Sequence, residues 1–354
     1  MRSAPVFNSM SPFVKRALAP VAAGVLALVL TLPSAAVQAA ETTYTMKISV
    51  PTIHDIPNVW IDEFAAAIEK GSNGQIKTQV YPASQLGSIP RQIEGTQFGS
   101  IQCELIPPEF MVGLDTRFQV LAAPGLVNTD EQGQRLALDP SVRKLMLGLG
   151  ADKGLHGVGL FYAEADLLIS RTPIRTLDDL KGKKIRIFAS PFQTLAFQRL
   201  GMTPVALTLG DVVPGLQEGT IDSAVTGIGP IVSFHMVDAA KFVTEIHQPA
   251  IFLITEVNKK WFDSLPKTLQ DLVESAATKA DHDINPIAVK MVAEALQQWK
   301  SVGGTLFPLS AEERAKLMKT LGDVGTEVAS KNPQLDAAYK TVTQAAKTLS
   351  ASAK

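Results

Sequence analysis

Asp179-Leu-Lys-Gly-Lys-Lys-Ile-Arg-Ile-Phe188 sets one arginine inside an apolar run. A charged turn leads into Ile185-Arg186-Ile187-Phe188, whose β-branched and aromatic residues read as a buried strand. Arginine is rarely buried without a partner, so Arg186 requires an anion. Its planar fork fits a carboxylate through two parallel hydrogen bonds, a geometry lysine lacks. The residues alone leave the source open: a carboxylate of the chain, one on a bound solute, or a strand-end guanidinium reaching back to water.

Working outward, the pattern alternates between strands and helices. Tyr44–Val50 reads as a strand. Trp60–Lys70 reads as a helix with Ile61, Phe64, Ala65 and Ile68 on one face, closed by Gly71-Ser-Asn-Gly74, and Gln75–Tyr81 is the next strand. This is a βαβ unit, whose strands should run parallel. A helix is expected over Ser141–Leu149, with strands over Gly157–Tyr162 and Leu167–Ser170. After the Arg186 strand come a helix from Phe192 to Leu200, a strand Thr203–Ala206, a helix Gly210–Gln217 and a strand Thr220–Thr226. Ligands of open α/β sheets bind beyond the carboxyl ends of strands, and Arg186 and Thr226 both fall near such ends. From Thr268 to Lys300 the spacing gives one or two long helices, interrupted or kinked at Asn285-Pro286. Ser310 and Glu313 form a capping box for the helix that follows. The Ala/Lys/Ser-rich tail is expected to fray at its end.

The amino terminus points to export. Arg2, Lys15 and Arg16 precede an apolar stretch from Ala17 to Leu32. Ser34–Ala39 then places Val37 and Ala39 where a signal peptidase reads small residues, so residues 1–39 are expected to be a signal peptide. The remainder carries 30 Lys+Arg against 34 Asp+Glu and has no basic run with interleaved aromatics, which excludes nucleic acid as a partner. Cys103 is the sole cysteine, so no intrachain disulfide can form; in Ser100–Ile106 it reads as a small core residue.

Catalytic signatures are missing. Of the five histidines, His54, His156, His235, His247 and His282, none is paired at metal-ligand spacing, and Asp281-His282-Asp283 reads as a solvated helix face. No H-E-x-x-H, G-x-S-x-G or P-loop lysine motif occurs. Gly148-Leu-Gly150 with Gly154 imitates a dinucleotide fingerprint but has the wrong spacing and reads as a helix end. No cofactor is expected.

Five segments, in order, carry a resemblance to the DctP-like solute-binding proteins of tripartite ATP-independent periplasmic (TRAP) transporters. They are Gly74-Gln-Ile-Lys-Thr-Gln-Val-Tyr-Pro-Ala-Ser-Gln-Leu-Gly87, Phe118-Gln-Val-Leu-Ala-Ala-Pro-Gly-Leu126, Leu177–Ile187, Leu216-Gln-Glu-Gly-Thr-Ile-Asp222 and Lys259-Lys-Trp-Phe-Asp-Ser-Leu-Pro266. The resemblance implies an α/β, two-lobed periplasmic binding protein fold of type II-like topology, with a long helix spanning both lobes. One lobe would comprise residues 40–163 plus about 252–290, the other 164–251 plus about 291–354. It further implies that Arg186 pairs with the carboxylate of an organic acid, with Phe188 and Ser190 beside it. Thr226, Gly227 and Gly229 would contact the rest of the ligand, and Thr52, His54, Pro108 and Glu109 would face the cleft from the other lobe. The protein would act as a monomer in the periplasm, handing its solute to membrane permease subunits. Relatives that bind sialic acid carry a second arginine near Asp166, which this chain lacks. An ABC-type receptor, a periplasmic sensor, or an enzyme using Ser190 or Glu164 are the competing readings.

Overall fold

A computed structural model describes residues 42–246 and 250–351. The expected signal peptide and His247 lie outside them. Eleven strands occur among the described residues: β1 (Tyr44–Ser49), β2 (Ile76–Tyr81), β3 (Cys103–Ile106), β4 (Leu155–Ala165), β5 (Leu167–Ser170), β6 (Lys184–Ile187), β7 (Thr203–Ala206), β8 (Ser223–Thr226), β9 (Phe242–Glu245), β10 (Ala250–Asn258) and β11 (Thr305–Pro308). They form two sheets, β2-β1-β3-β10-β4 and β11-β9-β5-β8-β6-β7. The chain passes from the first sheet to the second through β4, Asp166 and β5, and returns between β9 and β10. β10 is antiparallel to β3 and β4, and β5 is antiparallel to β8 and β9. β1 and β2 pair in parallel, as the βαβ reading requires.

Helices α1 (Ile56–Gly71), α2 (Ile89–Phe98), α3 (Asp130–Ala137), α4 (Pro140–Leu147), α5 (Pro191–Arg199) and α6 (Val212–Glu218) alternate with the strands. They are followed by α7 (Ile228–Ser233), α8 (Lys259–Ser264), α9 (Lys267–Ser301), α10 (Ala311–Leu321), α11 (Val324–Ala329) and α12 (Pro333–Ala351). Helix α1 starts four residues before the expected Trp60. Pro57 stands in its first turn, where a missing N–H costs nothing because those donors lack helical partners. Trp60, Ile61, Phe64, Ala65 and Ile68 form its buried stripe. Two expected boundaries move: β8 begins at Ser223 rather than Thr220, and α6 at Val212 after a 3-10 turn at Leu209–Asp211.

Helix α9 runs unbroken for 35 residues through Pro286, which removes one donor from its ladder without ending it. Its first half packs Val273, Ala277, Ala280 and Ile284 with α1 and β4, while Trp299 near its end joins the core beneath the second sheet. The reading of Asp281 as solvated fails. Asp281 is fully buried and accepts hydrogen bonds from Trp60 Nε1 (2.9 Å), Arg143 Nη1 (2.7 Å) and Leu160 N (3.0 Å). The capping box at α10 is only half formed: Ser310 accepts from Glu313 N (3.1 Å), but the Glu313 carboxylate accepts from Leu177 N (2.6 Å) instead. Gly148 and Gly150 close α4, as their spacing suggested, and Cys103 is buried. Helix α12 lies against α3, α4, α11 and the 3-10 turn Thr116–Ala122. No described helix is long and apolar enough to cross a membrane.

Candidate functional site

The approach to Arg186 is built by local hydrogen bonds. Thr176 and Asp179 form a reciprocal capping box on the 3-10 turn Leu177–Leu180. Gly182 then adopts φ +75°, a left-handed conformation that favours glycine. On β6, Ile185 and Ile187 enter the core while Arg186 faces the other way, between β7 and β8. Its side chain is 1 % exposed. Nε donates to Leu207 O (2.9 Å) and Nη1 to Val225 O (2.8 Å), and the guanidinium carbon lies 4.7 Å from the Phe188 ring centre. Phe188 packs on Phe110 with ring centres 5.5 Å apart. Nη2 makes no hydrogen bond to a described residue, and Arg186 has no ion pair among them. The internal salt bridge is therefore not what holds this side chain. Two carbonyls and an aromatic ring orient it and leave part of the fork open.

Arg186 lines a cleft between the sheets, together with Thr52, Asp55, Phe110, Glu164, Phe188 and Thr226 and apolar residues that include Leu105, Leu209 and Leu253. The cavity measures about 50 Å³, so a solute larger than a few water molecules requires its walls to move. Four of the expected site residues, Arg186, Phe188, Thr226 and Thr52, converge here. His54 and Gly229 line a neighbouring depression with Asp55 and His235. Ser190 is fully buried, caps α5 through Phe192 N (3.1 Å) and donates to Gln119 Oε1 (3.2 Å). It therefore braces the helix after the strand. Pro108 and Glu109 are buried in a 3-10 turn, while their neighbours Pro107 and Phe110 reach the cleft.

Gly227 precedes α7, and the space beside it is already filled. A Cβ there would collide with the Glu164 carboxylate. Glu164 accepts from Ile228 N (2.7 Å) and Gly229 N (3.4 Å), so a carboxylate from β4 closes the start of α7. Asp55 accepts from Thr52 Oγ1 (2.8 Å) and Asn58 Nδ2 (2.7 Å), leaving Oδ2 without a partner. Burial raises Glu164 to about 8, with Asp55 adding to the effect, and raises Asp55 to about 6. Asp166, at the crossing, is fully buried with neither oxygen partnered, and burial then Glu109 push it well up while Arg186 opposes them. Sequence reasoning missed Asp55, although an Asp two residues before Pro57 is a helix-start signal. The turn Pro107–Phe110 was expected to face the cleft, and its two ends do so, whereas Glu164 was weighed only as an enzyme's nucleophile or base. No group of three or more His, Cys, Asp or Glu among the described residues could hold a metal ion.

Two α/β sheets joined by crossing strands, with a narrow cleft between them that holds a buried arginine and one long helix along both, define a two-lobed solute receptor. The chain belongs to family 7 of the bacterial extracellular solute-binding proteins, the DctP family, whose model matches residues 57–332. It is 27% identical over 274 residues to the C4-dicarboxylate-binding periplasmic protein DctP of Rhodobacter capsulatus, covering 76% of this chain and 81% of that one. It is 29% identical to the 2,3-diketo-L-gulonate-binding periplasmic protein YiaO of Escherichia coli, over 69% of this chain and 73% of the relative. Its fold matches a TRAP periplasmic solute-binding protein from Desulfovibrio salexigens with bound orotic acid. The TM-score is 0.82 at 20% identity, covering 87% of this chain and all of the other. Members of this family bind solutes and are not enzymes, which removes the enzyme reading of Ser190 and Glu164.

Proposed function

We propose that the protein captures an organic acid in the cleft, with Arg186 receiving its carboxylate, and delivers it to the membrane permease subunits of a TRAP transporter. The observation that carries this reading is a buried guanidinium held by two carbonyls, with Nη2 unengaged, in a cleft lined besides by apolar side chains, the hydroxyls of Thr52 and Thr226 and the carboxyls of Asp55 and Glu164. A carboxylate there would form charge-assisted hydrogen bonds in a water-poor setting. Thr226 and Thr52 would meet the rest of the solute. Glu164 holds Ile228 and Gly229 in place through their amides, and Ser190 and Glu109 support the walls. The named relatives bind carboxylates in the periplasm, which supports export of this chain by residues 1–39. We place the lobe division at the two strand crossings, with α12 belonging to the first lobe because it packs on α3 and α4.

A thermal-shift screen of organic acids tests the reading. A ligand at 100 times its Kd adds about 2.7 kcal/mol of stability, so at least one carboxylate should raise the melting temperature clearly. Its amide or ester should not. A panel of carboxylates that leaves the melting temperature unmoved would contradict the proposal.

A further inference from the structure

The cleft holds more acid than a receptor for a simple anion requires. Its lining carries one cation, Arg186, against two carboxylates, Asp55 and Glu164. Asp166 and Glu109, both buried and without partners for their oxygens, lie behind them. Asp55 and Glu164 both lie beside Gly229, where an added Cβ would sit 3.3 Å from Asp55 Cβ and 3.3 Å from Glu164 Oε1, and both line the Arg186 cleft. Glu164 is fixed by the amides of Ile228 and Gly229. Asp55 is 2 % exposed, and its Oδ2 remains without a partner. A purely anionic solute would add negative charge to this site. A solute with a positive nitrogen would supply the missing partner, because a buried charge is tolerated when it is paired.

Resting on the carboxylate reading above, we propose that the solute is a zwitterion of the amino-acid or betaine type. Its carboxylate meets Arg186 and its cationic nitrogen meets Asp55 and Glu164. Burial raises both acids above their ordinary range, the direction expected while that cation is missing. The selectivity lies in Asp55, whose hydrogen bonds to Thr52 and Asn58 aim the carboxylate.

Matched pairs that differ only at the nitrogen test this, read by thermal shift and calorimetry on the full mature chain. Suitable pairs are glycine betaine with tert-butylacetate, L-proline with cyclopentanecarboxylate, and γ-aminobutyrate with valerate; succinate serves as the dianionic control. In at least one pair the cationic member should bind at least roughly tenfold more tightly than its neutral-tailed partner. Asp55→Asn should abolish that preference while its circular dichroism spectrum stays that of the parent. Arg186→Gln should abolish binding of both members. Equal or tighter binding of the neutral-tailed acids or succinate, or binding of them only with added calcium, would overturn the zwitterion assignment and leave the carboxylate reading intact. If no member of any pair and no succinate bound, the carboxylate reading would fall with it.

Discussion

Burial works against the charge on Arg186, lowering its pKa to about 10, while Asp166 and Asp211 act to retain it. The side chain remains cationic at neutral pH, as its proposed task requires. The sequence announced this residue because a guanidinium within Ile185-Arg186-Ile187 conflicts with its surroundings. It pointed to Glu164 only for an enzyme and could not show its structural role, because its partners are amides 64 and 65 residues away. Nor could it reveal Glu104 and Glu256, which face one another across β3 and β10 with all four oxygens buried and unpartnered. Burial pushes both well above the usual carboxylate range, with Glu104 adding to the effect on Glu256. A carboxyl raised in the folded state contributes stability that is fully present below its unfolded pKa and is lost as pH rises through the window above it. The melting temperature of the solute-free protein should therefore fall as pH rises from about 5 to about 8. The double variant Glu104→Gln/Glu256→Gln should show a shallower slope and melt higher at the alkaline end. A parallel slope in the variant would show that these acids are not its source.

Helix α9 shows what periodicity can and cannot reveal about an element. Its length and its stripe of Leu269, Val273, Ala276 and Ala280 were legible from their helical spacing. The burial of Asp281 was not, because it depends on what other elements bring: Trp60 from α1, Arg143 from α4 and the amide of Leu160 from β4. These bonds dock the helix at its middle. The Arg143 side chain is 16% exposed and Asp281 is fully buried, so removing the acid leaves a mostly buried cation without its ion pair and an amide and an indole donor without acceptors. Asp281→Ala should cost about 3 kcal/mol in urea unfolding, the lower end of the range for breaking a buried pair. A loss below about 1 kcal/mol would place the site among weak surface pairs instead. Pro286 misled in the opposite direction, since a proline reads as an interruption when the surrounding packing is unknown.

For the whole molecule, the two-lobed α/β plan was legible because five ordered segments resembled one family and the strand–helix alternation agreed with it. The placement of α12 and the closing of α7 by Glu164 depend on long-range packing that no local pattern encodes. With Arg186 1 % exposed, a solute can enter only if the lobes part, and the crossing from β4 through Asp166 to β5 is where such a hinge motion would be absorbed. In small-angle X-ray scattering, a bound carboxylate should reduce the radius of gyration of the solute-free protein, since the ligand favours the closed form through contacts made only there. An unchanged profile would indicate a cleft that fills without closing. The most direct test of the central claim is a calorimetric Kd for the best carboxylate, measured on the parent and on Arg186→Lys. Lysine preserves the charge but not the fork, so affinity should fall roughly 100-fold, about 2.7 kcal/mol. An Arg186→Lys variant that is folded and binds with the parent's Kd would contradict the account.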